Sequence, residues 1–222
     1  MRDDDFQLFI DEFGEAVHRQ NVPVSSIEKW RGKLPNQLLA YWQDEGWCGY
    51  AEGLFWTVNP DDYEDLVDEW LNDSPLEQID AFHVIARSAF GNLYLWGQKT
   101  GASVTVCCSV HSIICLGSNL KRKLDDPDFY ARTFFSNKSP EDCDLDDEFA
   151  TPLFKRAVAK LGRLAPDEMY GFEPAVVLGG KMQLENLARV NLDVHLTILR
   201  QFAAPNIPFS NIDVNSILNA QK

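Results

Sequence analysis

The densest group of potential metal ligands is Cys107-Cys108-Ser109-Val110-His111-Ser112-Ile113-Ile114-Cys115, where a thiol, an imidazole and a second thiol recur at four-residue steps. Such donors suit zinc, which needs its ligand atoms about 2.0–2.3 Å from one centre. The Val, Thr and Ile content here reads as strand, and four residues of strand span about 13 Å. Only a helix, or a hairpin turn at His111, would gather the three donors, so the segment reads as buried thiols beside a turn histidine. Two fragments, Ser26-Ile27-Glu28-Lys29 and Lys99-Thr100-Gly101, have the SxxK and KTG spacing of penicillin-interacting serine enzymes, but the Ser-Asp-Asn element is missing. Ser25 with Glu28 makes a capping box for a short helix, and 99–101 fits a hairpin turn. There is no GxSxG elbow, no GxxxxGK phosphate loop and no HExxH pair. His18, His83 and His195 have no carboxylate or thiol at a useful spacing. Gly179-Gly180 offers amides to an anion, though a turn explains the pair more simply. No nucleophile meets its base, so the sequence assigns no catalytic residue, no metal and no cofactor, and a non-enzymatic role is expected.

Charge carries more information. Thirty-four acidic residues against 20 basic ones give a net charge of −14 over 222 residues. Affinity for nucleic acid is built on Lys and Arg displacing condensed counterions, so direct DNA or RNA binding is disfavoured. The same field attracts a basic protein and speeds its capture. The acids concentrate in two runs. The first, 61–69, holds Asp61, Asp62, Asp65, Asp68 and Glu69; the second, 141–148, holds Glu141, Asp142, Asp144, Asp146, Asp147 and Glu148. Without a partner these are a solvated helix face and a linker; with one, they are the candidate binding residues. Trp30, Tyr41, Trp42, Trp47, Tyr50, Phe55, Trp56 and Tyr63 crowd one stretch, where helical spacing sends most of them to the core and leaves some for an anchor patch.

No run of 18 apolar residues is present, and Met1-Arg2-Asp3-Asp4-Asp5 lacks the basic-then-apolar order of an export signal, which points to a cytoplasmic protein with no membrane contact. Five cysteines in no paired spacing read as reduced thiols.

These groups must be positioned by an α+β fold. Phe6, Phe9, Phe13 and Val17 recur at helical steps over residues 3–20. A second helix begins near Pro35, presents Leu38, Leu39 and Trp42, and stops at Gly46. A third starts at Asn59-Pro60 and runs through Tyr63, Leu66, Val67, Trp70 and Leu71. Strands are expected at 53–58, 81–87, 93–96, 102–110 and 113–116, an antiparallel meander with helices over one face. Residues 119–150 read as an acidic linker region between a domain at 1–118 and a smaller α+β domain at 151–222. In the latter, Thr151 caps a helix that buries Phe154, Ala157, Val158 and Leu161, and 175–178 is a short strand before the Gly179-Gly180 turn. Residues 184–190 fit strand or helix. A last helix capped by Asp193 carries Val194, Ile198 and Phe202 on one face and ends at Pro205.

The first half, through Leu34-Pro35, Tyr41-Trp42, Glu45-Gly46, Gly53-Leu54-Phe55-Trp56, Asn59-Pro60-Asp61-Asp62-Tyr63 and Ala86-Arg87-Ser88-Ala89-Phe90-Gly91-Asn92-Leu93, resembles the GAD-like domain. The later stretch, through Leu161-Gly162-Arg163-Leu164, Asp167-Glu168-Met169-Tyr170-Gly171-Phe172-Glu173-Pro174-Ala175, Leu178-Gly179-Gly180 and His195-Leu196, resembles the carboxy-terminal domain of type VI secretion immunity proteins that neutralise DNase toxins. The resemblance implies a cytoplasmic antitoxin whose partner is a cognate basic DNase, with no catalytic residues of its own. Neutralisation would proceed by acids occupying the DNA groove or by an inserted element displacing the toxin's catalytic segment. The alternatives are a general interaction or regulatory module, and immunity against a toxin that is not a nuclease.

Overall fold

A computed structural model describes residues 2–208 and 212–221 of the chain. Helix α1 (Asp4–Phe13) is capped by Asp3, whose carboxylate accepts the Phe6 N–H at 2.8 Å, and it buries Phe6, Phe9, Ile10 and Phe13 along one face. Gly14 at φ +77° ends it. Val17, which the apolar spacing placed on the same helix, instead opens the edge strand β1 (Val17–Gln20). Helix α2 (Val24–Trp30) follows with Pro23 as its N-cap and no side-chain cap bond, so the capping box expected from Ser25 and Glu28 does not form. Helix α3 (Asn36–Glu45) begins after Pro35 and ends at Gly46, as its signals require.

The chain then runs through β2 (Trp47–Tyr50), β3 (Phe55–Thr57), α4 (Glu64–Leu71), β4 (Phe82–Ser88), β5 (Asn92–Gly97), β6 (Gly101–Cys107) and β7 (Ser112–Cys115). The seven strands pair in chain order, each antiparallel to the next. The last five are the expected meander. The first two carry Gly49 and the exposed His18-Arg19-Gln20, without the alternation that marks a strand from sequence. Alternation along β3 sends Phe55 and Trp56 to opposite faces. On the Phe55 face α1 supplies Phe9, whose ring lies 4.9 Å from Tyr50 and 5.5 Å from Phe55. On the Trp56 face lie α4 and the carboxy-terminal part, so both faces are covered.

Residues 119–150 are not a linker. After α5 (Gly117–Leu120), α6 (Pro127–Ser136) lays the fully buried Phe135 against Phe6 and Phe9, with ring centroids 5.3 and 5.4 Å away. A short α7 (Pro140–Cys143) buries Cys143 beside the Tyr94 hydroxyl. The acids that suggested a solvated stretch are used as caps: Asp126 accepts the Phe129 N–H, and Ser139 with Asp142 closes a capping box on α7.

The remaining elements are α8 (Phe154–Leu161), β8 (Glu168–Phe172), β9 (Leu187–Asn191), α9 (Leu192–Phe202) and α10 (Val214–Ala220). Thr151 does not cap α8; the Phe154 N–H is taken by Asp144 at 2.9 Å. The strand expected at 175–178 is a 3-10 turn, Val176–Leu178, and the true strand is β8, just before it. Gly171 sits at its centre because a Cβ there would lie 2.6 Å from His195 Nε2, so helix and hairpin meet only over a glycine. At Gly180 a Cβ would lie 1.8 Å from the Pro174 carbonyl oxygen. This part is joined to the sheet by backbone bonds: Tyr170 N–H to Ala89 O at 2.9 Å, Ile113 N–H to Asn206 O at 2.8 Å and Asn206 N–H to His111 O at 2.7 Å. No described helix is long and apolar enough to cross a membrane.

Candidate partner-binding face

The two acidic runs are built differently. In 61–69, Asn59 accepts the Asp61 N–H and starts the turn into α4, whose Leu66, Val67, Trp70 and Leu71 go inward. Their spacing turns Asp65, Asp68 and Glu69 to solvent, and among the described residues these three form no ion pair. Asp61 pairs with Lys29 at 2.7 Å, and burial pushes the Asp62 carboxyl upward.

The 141–148 run is largely engaged with its own chain. Asp147 is buried, accepts the Phe149 and Thr151 N–H groups, and meets Arg156 at 2.6 Å; that hydrogen bond holds its carboxyl below the usual range. Asp144 takes the Leu145 and Phe154 N–H groups, and burial pushes it upward in spite of them. Asp142 is the capping partner of Ser139. Glu141, Asp146 and Glu148 remain at the surface, and Glu148 lies 3.8 Å from Lys181.

Between the first sheet and the carboxy-terminal part lies a cavity of about 300 Å³, lined by His18, Trp47, Trp56 and Asp62 from the first part and by Asp167 and Asp193 from the second. His18 stacks on Trp56 at 5.8 Å. The fully buried Arg87 lies 4.8 Å from the Trp56 centroid and donates to Pro166 O at 2.7 Å, tying the sheet to the carboxy-terminal part through two residues that line the cavity. The amino ends of α4 and α9 both reach this cavity, and their other ends meet where Arg200 donates to the carbonyls of Glu69 and Asn72. The two helices therefore run parallel, side by side.

Helix α9 is capped by Asn191, whose side chain accepts the Val194 N–H, two residues before the expected Asp193. Leu192, Leu196 and Leu199 face the core. Val194, Ile198 and Phe202 share a face, as their spacing requires, but that face is outward, with exposures of 56, 43 and 44%. Sequence reading identified the row and had no means of ranking it against the competing row of leucines.

The thiol and imidazole group serves structure. His111 sits at the hairpin turn in the left-handed region at φ 49°, is buried against Trp70, and donates from Nε2 to Leu199 O at 2.6 Å. That carbonyl belongs to the last turn of α9, which has no partner within its own helix. Burial pushes the Cys107 and Cys143 thiols up to about 11 and the Cys108 thiol well above its usual range, which disfavours the reactive thiolate. Among the described residues no group of three or more His, Cys, Asp or Glu side chains is arranged to hold a metal ion. Lys99 and Thr100 form the β5–β6 turn, where their N–H groups both reach Asp80.

Residues 4–110 match the family described as the GAD-like domain, and residues 129–203 match the family described as T6SS immunity protein Tdi1, C-terminal. The second match begins inside the stretch that the sequence suggested was a linker. No curated protein matches the chain. Among solved structures, the crystal structure of Atu4351 from Agrobacterium tumefaciens superposes with a TM-score of 0.78 at 21% identity, over 88% of this chain and 88% of that one, a likeness of fold.

Proposed function

We propose that this chain, which belongs to the type VI secretion immunity proteins by joining a GAD-like domain to a Tdi1-type carboxy-terminal domain, binds and inhibits a cognate DNase toxin in the cytoplasm. The match over 129–203 carries the reading. Charge supports the nuclease assignment, because an enzyme that grips a phosphate backbone presents basic side chains, and this chain has a net charge of −14. Steered encounter at about 10⁸ M⁻¹s⁻¹ suits the capture of a lethal enzyme before it cuts.

In this reading the contact acids are Asp61, Asp62, Asp65, Asp68 and Glu69 with Glu141, Asp142, Asp144, Asp146, Asp147 and Glu148. The unpaired row Asp65, Asp68 and Glu69 is the most available of them, and Asp144 and Asp147, held by their own loop, are the least. Inhibition leaves the chain itself chemically unchanged, so one-to-one binding should be sufficient for protection.

Co-expression with candidate DNase toxins, capture of any complex, and digestion of plasmid DNA with and without this protein form the test. Protection at equimolar ratio is expected. Intact binding with undiminished DNA cleavage would remove the inhibitor reading, and a bound partner that cleaves no DNA on its own would remove the DNase assignment. Changing Asp65, Asp68 and Glu69 to Asn, Asn and Gln should lower the association rate at low salt about tenfold, with the gap closing at high salt.

A further inference from the structure

A second pocket, of about 230 Å³, is lined by Tyr130, Thr133 and Phe134, which share one face of α6, and by residues 100–102, 119, 122, 124, 137 and 138. Although the chain is acidic, the charged residues of this lining are Arg122 and Lys138, and among the described residues no Asp or Glu joins them. The two cations rest on successive rings: the Arg122 guanidinium lies 5.7 Å from the Tyr130 centroid, and the Lys138 ammonium 5.3 Å from that of Phe134. Residues four apart on a helix are separated by about 6 Å along its axis, so both charges reach one pocket from rings a single turn apart. Lys138 has three N–H donors and, among the described residues, no hydrogen bond or ion pair for its ammonium, which meets only the faces of Phe134 and, at 4.2 Å, Tyr94. Burial pushes its pKa down. A ring face offsets only part of what an ammonium loses on leaving water, so the group lacks a counter-charge. Arg122 gives one N–H to Asn119 Oδ1 at 3.4 Å and forms no ion pair among the described residues. The acids of the flanking segments have other partners: Asp125 the Tyr130 hydroxyl, Asp126 the Phe129 N–H, Asp128 the Gln37 N–H and Asp142 the Ser139 hydroxyl.

We infer that this pocket binds a small phosphate monoester, its phosphate held by Arg122 and Lys138 and its hydroxyl-bearing remainder by the side-chain amides of Asn119 and Asn137. A phosphate monoester carries a charge of about −2 at neutral pH, which matches two cations, and guanidinium and ammonium donors make strong, charge-assisted bonds to its oxygens. The volume lies below the roughly 300–1,000 Å³ of sites for larger ligands, which limits the remainder to about the size of a sugar. The net charge of −14 does not forbid an anion here, because exposed charges more than about 8 Å away are largely screened at physiological salt. This binding is separate from the capture of a toxin.

Calorimetric titration of the full chain at pH 7.5 in 0.15 M NaCl tests it, with ribose 5-phosphate as the probe and ribose, inorganic phosphate and citrate in parallel. Ribose 5-phosphate should saturate a single site, inorganic phosphate should bind more weakly and ribose should not bind. Lys138→Met, which keeps an apolar stem over the rings, and Arg122→Met should each weaken ribose 5-phosphate by about tenfold or more, the usual cost of losing a charge-assisted hydrogen bond. Lys121→Gln and Lys123→Gln, at cations outside the lining, should bind as the parent does. Arg122 is exposed, so its variant carries the test should Lys138→Met fail to fold. No saturation up to 10 mM ribose 5-phosphate, equal binding by the parent and either folded methionine variant, or tighter binding of citrate than of both phosphates would each overturn the inference. A chain that protects DNA from the toxin yet binds no phosphate loses this pocket alone, and one that binds phosphate without protecting DNA loses the immunity reading alone.

Discussion

The helical face over the first sheet and helix α9 both repeat apolar residues at helical steps, yet they direct them in opposite senses. In α1 every member of the row, Phe6, Phe9, Ile10 and Phe13, is buried against β2, β3 and α6, and rings meet at 4.4 to 6.3 Å. In α9 one row of three leucines is buried and a second row of three large side chains faces water. A helix row buried on every side does the work of folding; a helix apolar on two sides has one side left for something else. The contrast separates an apolar row used in the core from one left at the surface.

The contrast is broken most directly at Phe135. If 119–150 were a linker, Phe135→Ala would change stability by no more than about 0.5 kcal/mol. As a core side chain among Phe6, Phe9 and Tyr41 it should cost about 3–5 kcal/mol, read from the urea midpoint. His111→Asn keeps a residue tolerant of the left-handed backbone but is too short to reach Leu199 O. Loss of that bond should cost about 1–3 kcal/mol and loosen the end of α9, seen as faster amide exchange there than in α1.

A smaller effect comes from pH. Burial lowers the pKa of His195, which packs over Gly171, with Glu173 opposing the shift, and burial also lowers His83. Both are therefore held neutral in the fold. The unfolded chain takes up protons below about pH 6.5 while the native chain does not, so stability should fall as pH drops from about 6.5 towards the native pKa values. The slope is bounded by about 1.4 kcal/mol per pH unit for each histidine, and His195→Gln should remove its own share of it in urea melts between pH 7.5 and 5.5. Smallest of all is the stability change at Ile198→Ser, within about 0.5 kcal/mol because the side chain is already in water.

Legibility followed local signals. The helix behind Pro35, the helix after Asn59-Pro60 and the last five strands of the sheet were readable because caps, breakers and periodicity agree within a few residues. β1, β2 and β8 were missed: their segments are short, and they carry Gly49, Gly171 or exposed polar residues whose strand geometry is imposed by neighbours. The cavity walled by Trp47, Trp56 and Asp193 had no sequence signal, since its sides come from residues more than 130 positions apart.

The sequence by itself determined the α+β class, the net charge of −14 and the periodic rows that become helices. These depend on composition and on residues within a turn or two of each other. Only the tertiary structure decided which row of α9 meets the core, that Asp147 is buried on Arg156 while Asp65 and Asp68 stay in water, and that α4 and α9 lie side by side. Burial is settled by what the rest of the chain brings into contact, and an amphipathic pattern records that a face is apolar without recording what covers it.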